Sequence, residues 1–114
     1  MLTIEALKDF GADTADGVGR CFGNADFYMN LVKTVPTEKK FDELAGALSV
    51  NDLDKAFEYA HALKGVLANL SLTPIAEPMT AITEHLRGRE QMDYAPLMDA
   101  VMEKREELRK ICEG

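Results

Sequence analysis

Between Asp52 and about Leu70, apolar side chains recur every three or four residues. On a helix that turns about 100° per residue, Leu53, Ala56, Tyr59, Ala60, Leu63, Val66, Leu67 and Leu70 fall in one broad sector, and Asn51 or Asp52 supplies the N-cap. Thr3 to about Phe10 predicts a short helix capped by Thr3 and stopped by Gly11, and Asp13 to Cys21 predicts another short turn of helix. Asn24 to Val35 places Phe27, Tyr28, Leu31, Val32 and Val35 at helical spacing until Pro36 breaks the pattern; Thr37 is then expected to cap a run with Phe41, Leu44, Ala45 and Leu48. Thr73-Pro74 opens a helix striped by Ile75, Met79, Ile82 and Leu86, in which Pro78 predicts either a kink or the true start. Ala95 to Cys112 carries Leu97, Val101, Leu108 and Ile111, with Arg109 and Lys110 suited to the last turn. Period-two alternation is absent. The expected fold class is all-α: an antiparallel four-helix bundle, its core at about 24–112, with short additional N-terminal helices.

His61 stands outside the apolar sector of the Asp52–Leu70 helix. It shares the opposite face with Asp54, Phe57, Glu58, Lys64, Gly65 and Ala68. Gly65 is out of place on an ordinary solvent face, since glycine costs about 1 kcal/mol relative to alanine in a helix interior. Clearance is a physical reason for it: with Gly65 and Ala68 flat, another macromolecule can bring a reactive atom up to the imidazole. Phe57, expected to be exposed one turn earlier, reads as a docking contact. Lys64 has Ala60 rather than an acid four residues before it, so its ammonium is available to neutralise a dianionic phosphoryl group on His61. An ordinary imidazole titrates at about 6.5, which leaves a ring-nitrogen lone pair for attack on phosphorus near neutral pH.

Composition narrows the partners. A chain of 114 residues suits one domain, and a formal net charge of −7 argues against a binder of nucleic-acid phosphates. Cys21 and Cys112 lie far apart with no Cys-x-x-Cys spacing, so reduced structural thiols are expected. No basic segment leads into a long apolar run, and nothing approaches the roughly 18 apolar residues of a membrane span; the expected location is the cytoplasm, with no membrane contact. Walker-type and kinase-type Gly-rich loops are both missing, so His61 could carry a phosphoryl group while nothing in the chain activates ATP. His61 and His85 do not make a ligand pair and no carboxylate cluster accompanies them, so no metal site is expected. His85 reads as a surface residue, Glu103 to Lys110 as a solvated charged face, and Met79, Met92, Met98 and Met102 as core filling.

The segment Ala60-His61-Ala62-Leu63-Lys64-Gly65-Val66-Leu67-Ala68-Asn69-Leu70 closely resembles the histidine-phosphotransfer (HPt) family, whose motif is an Ala-His-x-Leu-Lys-Gly core followed by small residues and a leucine. Asn51-Asp52 resembles the family's Gly-Asp helix start, Asp26-Phe27-Tyr28-x-x-Leu31 its early helix, and Ile75 to Arg87 the helix beside the histidine, so the likeness runs from Gly23 to Cys112. It implies a phosphoryl-accepting His61, Lys64 as phosphate stabiliser and Gly65 as the clearance residue. The chain departs from the pattern at Ser71, where the family usually ends the active helix with glycine. It departs again where many members place a Gln or Glu that bonds the imidazole: here Thr83, with Thr80 one turn earlier, is the candidate for orienting the ring.

The resemblance implies a phosphocarrier rather than an enzyme. His61 would take its phosphoryl group from a receiver-domain aspartate and relay it to another receiver in a multi-step, bacterial-type two-component phosphorelay. The expected partners are response-regulator receiver domains, a hybrid histidine kinase, or both. No cofactor is expected on this chain, because Mg²⁺ belongs to the receiver. A cytoplasmic monomer is expected, and the Met1 start and polar end fit a free-standing protein. The alternative is an HPt-like adaptor that binds a receiver or kinase without phosphorylation. A general acid–base enzyme at His61 would need a pocket and a second catalytic group, which a convex helix face does not supply.

Overall fold

The computed structural model describes residues 2–113. These form α1 (Ile4–Phe10), α2 (Thr14–Arg20), α3 (Ala25–Val32), a 3₁₀ turn (Val35–Thr37), α4 (Lys40–Ser49), α5 (Leu53–Asn69), α6 (Thr73–Arg87) and α7 (Ala95–Glu113), with no strand among the described residues. Side-chain caps start four of the helices: Thr3, Asp13, Asn24 and Asp52 each accept a hydrogen bond from the backbone N–H three residues on.

Helix ends share one device. The N–H groups of Ala12, Gly23, Asp52, Leu72 and Glu90 each reach back five residues, to the carbonyls of Leu7, Val18, Ala47, Leu67 and His85. The residue before each of them is in the left-handed region: Gly11, Phe22, Asn51, Ser71 and Arg89, all with positive φ. Only the first is glycine. These closures reverse the chain within a few residues, so α4, α5 and α6 run antiparallel to their neighbours.

Packing proceeds α4 on α5, α5 on α6 and α6 on α7, with α1 laid against α7. The expected all-α bundle is thus observed, with α4 to α7 as its four helices. Its core holds fully buried Phe41, Leu44, Leu63, Leu67, Ile75, Met79, Ile82, Leu86 and Leu108. Met79 and Met98 are core residues as expected, whereas Met92 is exposed. Cys21 is buried, Cys112 is half-buried, and both are free; burial pushes the Cys112 thiol up.

Two local expectations are corrected. Thr37 does not cap α4. Pro36, with its φ already fixed, opens the 3₁₀ turn, and the Thr37 hydroxyl donates to the Thr34 carbonyl (3.3 Å) instead. Pro78 is not the start of α6, which begins at Thr73 and runs through it. The only intrahelical acceptor Pro78 forgoes is the Pro74 carbonyl, one turn from the helix start.

The N-terminal helices hold the end of α5. Tyr28 of α3 is fully buried and donates its hydroxyl to the Leu70 carbonyl at 2.8 Å. Burial pushes its phenol up to about 12. The Ser71 hydroxyl donates to the Asp16 carboxylate of α2, and the Asp13 N–H donates to the Ser71 carbonyl (3.0 Å).

Candidate functional site

α5 turns Ala56, Ala60, Leu63 and Leu67 into the core, which leaves His61 on the solvent side, exposed. Its ring is not free. The Phe57 ring, one turn earlier, lies parallel to the imidazole with centroids 5.5 Å apart and 8° between the planes. Phe57 is half-buried and packs against the core, not exposed as expected from its place on the polar face. Two guanidinium groups cover it: the central carbon of Arg89 lies 4.7 Å from the ring centroid and that of Arg87 lies 5.3 Å away.

Both arginines come from the end of α6, and each is held in place. Arg89, in left-handed conformation just past the helix, donates from Nε to the Asp54 carboxylate (2.7 Å) and from a terminal nitrogen to the Leu86 carbonyl (2.7 Å). It therefore ties the end of α6 to the first turn of α5. Arg87 donates from Nε to one oxygen of Glu84 (3.2 Å), whose other oxygen accepts from Lys64 Nζ at 3.4 Å. The Arg87 guanidinium, with Lys64 behind it, holds the Glu84 carboxyl below the usual carboxylate range. An acidic protein thus gathers Lys64, Arg87 and Arg89 around one Phe57–His61 stack, balanced by Glu84 and Asp54.

Lys64, Gly65 and Ala68 all border His61 on α5. Lys64 is half-buried, while Gly65 and Ala68 are exposed, and a Cβ built on Gly65 would meet nothing within 4 Å. Nothing inside this chain requires the glycine. Thr83 and Thr80 are not where an imidazole partner would be needed. Thr83 is fully buried and donates to the Met79 carbonyl (2.8 Å), and no hydrogen bond joins either threonine to His61. Facing the core from α6, Thr83 satisfies its donor within its own helix, and the side chain that lies against the imidazole is Phe57. His85, also on α6, is half-buried and pairs through Nδ1 with Glu90 (3.0 Å).

Three clefts of about 290, 360 and 450 Å³ open on the surface; Asp54 and Arg89 line the smallest, and His61 lines none of them. No group of three or more His, Cys, Asp or Glu side chains able to hold a metal occurs among the described residues. His61 thus lies on an exposed helix face outside these clefts.

An exposed histidine beside a lysine and an unfilled glycine, on the second helix of an antiparallel bundle, fits the family resemblance of the motif. Residues 36–113, well over half of the chain, match the Hpt domain family. The chain belongs to that family. No curated protein and no solved structure matches it. Hpt domains are phosphocarrier modules that act in histidine phosphotransfer in two-component signalling. The Hpt match contains His61 and its whole surround, and it begins at Pro36, so the hold of α2 and α3 on the end of α5 lies outside it. Sequence reasoning missed Asp54–Arg89 and Lys64–Glu84–Arg87 as pairs. The available signal was Phe57, a large apolar residue on a polar face that needs cover, but nothing in the chain pattern says that α6 supplies it. Among the described residues no helix is long and apolar enough to cross a membrane.

Proposed function

We propose that His61 accepts a phosphoryl group from the aspartyl phosphate of a response-regulator receiver and passes it to another receiver in a multi-step relay. A lone pair on one imidazole nitrogen attacks phosphorus in line. The P–N bond forms as the acyl-phosphate P–O bond breaks, and the aspartate carboxylate leaves with the electron pair. The reverse step returns the group. The receiver supplies the aspartate and Mg²⁺; this chain supplies the nucleophile, its orientation by Phe57, and Lys64 to neutralise the charge. Gly65 and Ala68 leave the room through which the receiver approaches. The partners are receivers, a hybrid histidine kinase or both, and the protein works as a cytoplasmic monomer.

The observation that carries this reading is the exposed imidazole, held on the Phe57 ring beside Lys64 and over the empty space at Gly65. An adaptor that only binds receivers could use the clearance at Gly65 but would need neither the oriented imidazole nor Lys64. Incubation with a panel of phosphorylated receivers tests it, with phosphate on this protein read by intact mass and acid lability and His61→Gln run in parallel. Rapid, acid-labile labelling that His61→Gln abolishes is the expected result. Binding to a receiver without labelling would establish the adaptor instead.

A further inference from the structure

Glu84 stands in an awkward place for a carrier of phosphate. One of its oxygens accepts from Lys64 Nζ at 3.4 Å and the other from Arg87 Nε at 3.2 Å. Lys64 is the cation nearest in sequence to His61 on its face of α5, and Arg87 lies over the ring on which His61 stacks. The resting site thus already holds an anion on the cation that the phosphoryl group would use. Resting on the phosphocarrier reading above, we propose that Glu84 is a positioning residue. Its carboxylate parks Lys64 beside His61, competes with the phosphoryl group for that ammonium, and so keeps phosphorylated His61 short-lived and ready to give up its load.

The physical case is one of charge. Once His61 carries a dianionic group, a carboxylate sharing the same lysine repels it and withholds part of the neutralising charge. Repulsion and withheld neutralisation both shorten the lifetime of the phosphorylated state. Arg87 bonds the carboxylate from the other side and is itself laid over Phe57, which favours this position of Glu84. Glu84 is exposed enough for salt to screen it, which makes the effect measurable against ionic strength.

The test uses the full chain and phosphoramidate, a small donor that phosphorylates imidazole directly: the P–N bond to His61 forms as the donor's P–N bond breaks and ammonia leaves. After donor removal, the loss of phosphate is followed by intact mass for wild type, Glu84→Gln, Glu84→Asp and His61→Gln. At low ionic strength Glu84→Gln should hold its phosphoryl group about three- to tenfold longer than wild type, as expected for removal of one charge at close range in a high dielectric. Glu84→Asp keeps the charge and should stay near wild type. The gap should close near 1 M salt, where the screening length is about 3 Å. Equal lifetimes for wild type and Glu84→Gln overturn the proposal. So does an effect shared by both variants or indifferent to salt, which would mark a packing change. Failure of wild type to label at His61 overturns the phosphocarrier reading itself, and this inference with it.

Discussion

The imidazole of His61 lies flat against the Phe57 ring, 5.5 Å between centroids and 8° between planes. A hydrogen bond would fix an imidazole through one nitrogen and commit that nitrogen; a stacked ring fixes the plane and leaves both nitrogens free. That suits a nucleophile which must present one nitrogen to phosphorus. Phe57→Ala should therefore slow phosphoramidate labelling of His61. It should also destabilise the fold by about 1–3 kcal/mol, because Phe57 is half-buried against the core. Phe57→Leu separates the two effects: most apolar contact stays, at a cost under about 1.5 kcal/mol, while the parallel ring is gone. Labelling of Phe57→Leu at the wild-type rate would show that the stack does not orient the imidazole.

The helical period exposed the fold and the His61 face because both depend on neighbours three and four residues apart. Asp52 to Leu70 has its core residues and His61 on opposite sides in the sequence pattern and in the structure, apart from Val66, which the pattern puts in the apolar sector and the structure leaves exposed. What escaped were contacts between helices. Phe57 looks exposed when α5 is considered alone and is half-buried once Arg87 and Arg89 arrive from α6. Thr83 looks like a replacement for an imidazole-bonding Gln, but rotation of α6 turns it into the core, where it bonds Met79. Helix ends at Phe10, Arg20, Ser49, Asn69 and Arg87 fall beside the expected ones even though four of the five left-handed closing positions are Phe22, Asn51, Ser71 and Arg89 rather than glycine, so the usual stop signal is missing there.

Gly65 gives a prediction in which stability and function move in opposite directions. It lies in the interior of α5 with ordinary helical backbone, and an added Cβ meets nothing within 4 Å. Gly65→Ala should stabilise the protein by about 0.5–1 kcal/mol, seen as a rise in Tm of a few degrees. Gly65→Leu should still be labelled by phosphoramidate, which needs little room, but should exchange phosphate with a receiver at least about tenfold more slowly, a barrier increase of about 1.4 kcal/mol. Equal loss with both donors would mean that Gly65 serves the imidazole rather than the approach of a partner.

Ser71 occupies a left-handed position, φ 53°, where glycine would be unstrained, and it is buried. What it offers in return is a hydroxyl that donates to Asp16. Ser71→Ala keeps the backbone strain and loses the bond, so Tm should fall; Ser71→Gly loses the bond and relieves the strain, so it should lie closer to wild type. The pH dependence follows from Asp16, whose carboxyl is held below its ordinary 3.8 by the Ser71 hydroxyl first and Arg20 second. A carboxyl depressed in the folded state contributes stability above its unfolded pKa and loses it as pH falls through the lower folded value. The Tm gap between wild type and Ser71→Ala should be full at about pH 6 and shrink below about pH 3.5. A gap that persisted undiminished in acid would assign the loss to packing around residue 71 instead.

Gly17 should respond to alanine in the opposite sense from Gly65, although both lie within helices. A Cβ there would fall 2.4 Å from Tyr28 Cε1 and 3.0 Å from the Leu70 carbonyl oxygen. The Tyr28 ring is fully buried and tethered by its hydroxyl to that same carbonyl, so it cannot give way without breaking the bond that joins α3 to the end of α5. Gly17→Ala should cost about 1–3 kcal/mol by overpacking, more than the gain in helix propensity of about 1 kcal/mol. The damage should be local. Amide hydrogens of α2 and of residues 70–72 should exchange faster, while those in the centres of α5 and α6 should hold and His61 should still accept phosphate from phosphoramidate. Unchanged exchange at 70–72, with a raised Tm, would mean that α2 rests loosely on the bundle and that the close approach of Gly17 to Tyr28 contributes nothing to holding the end of α5.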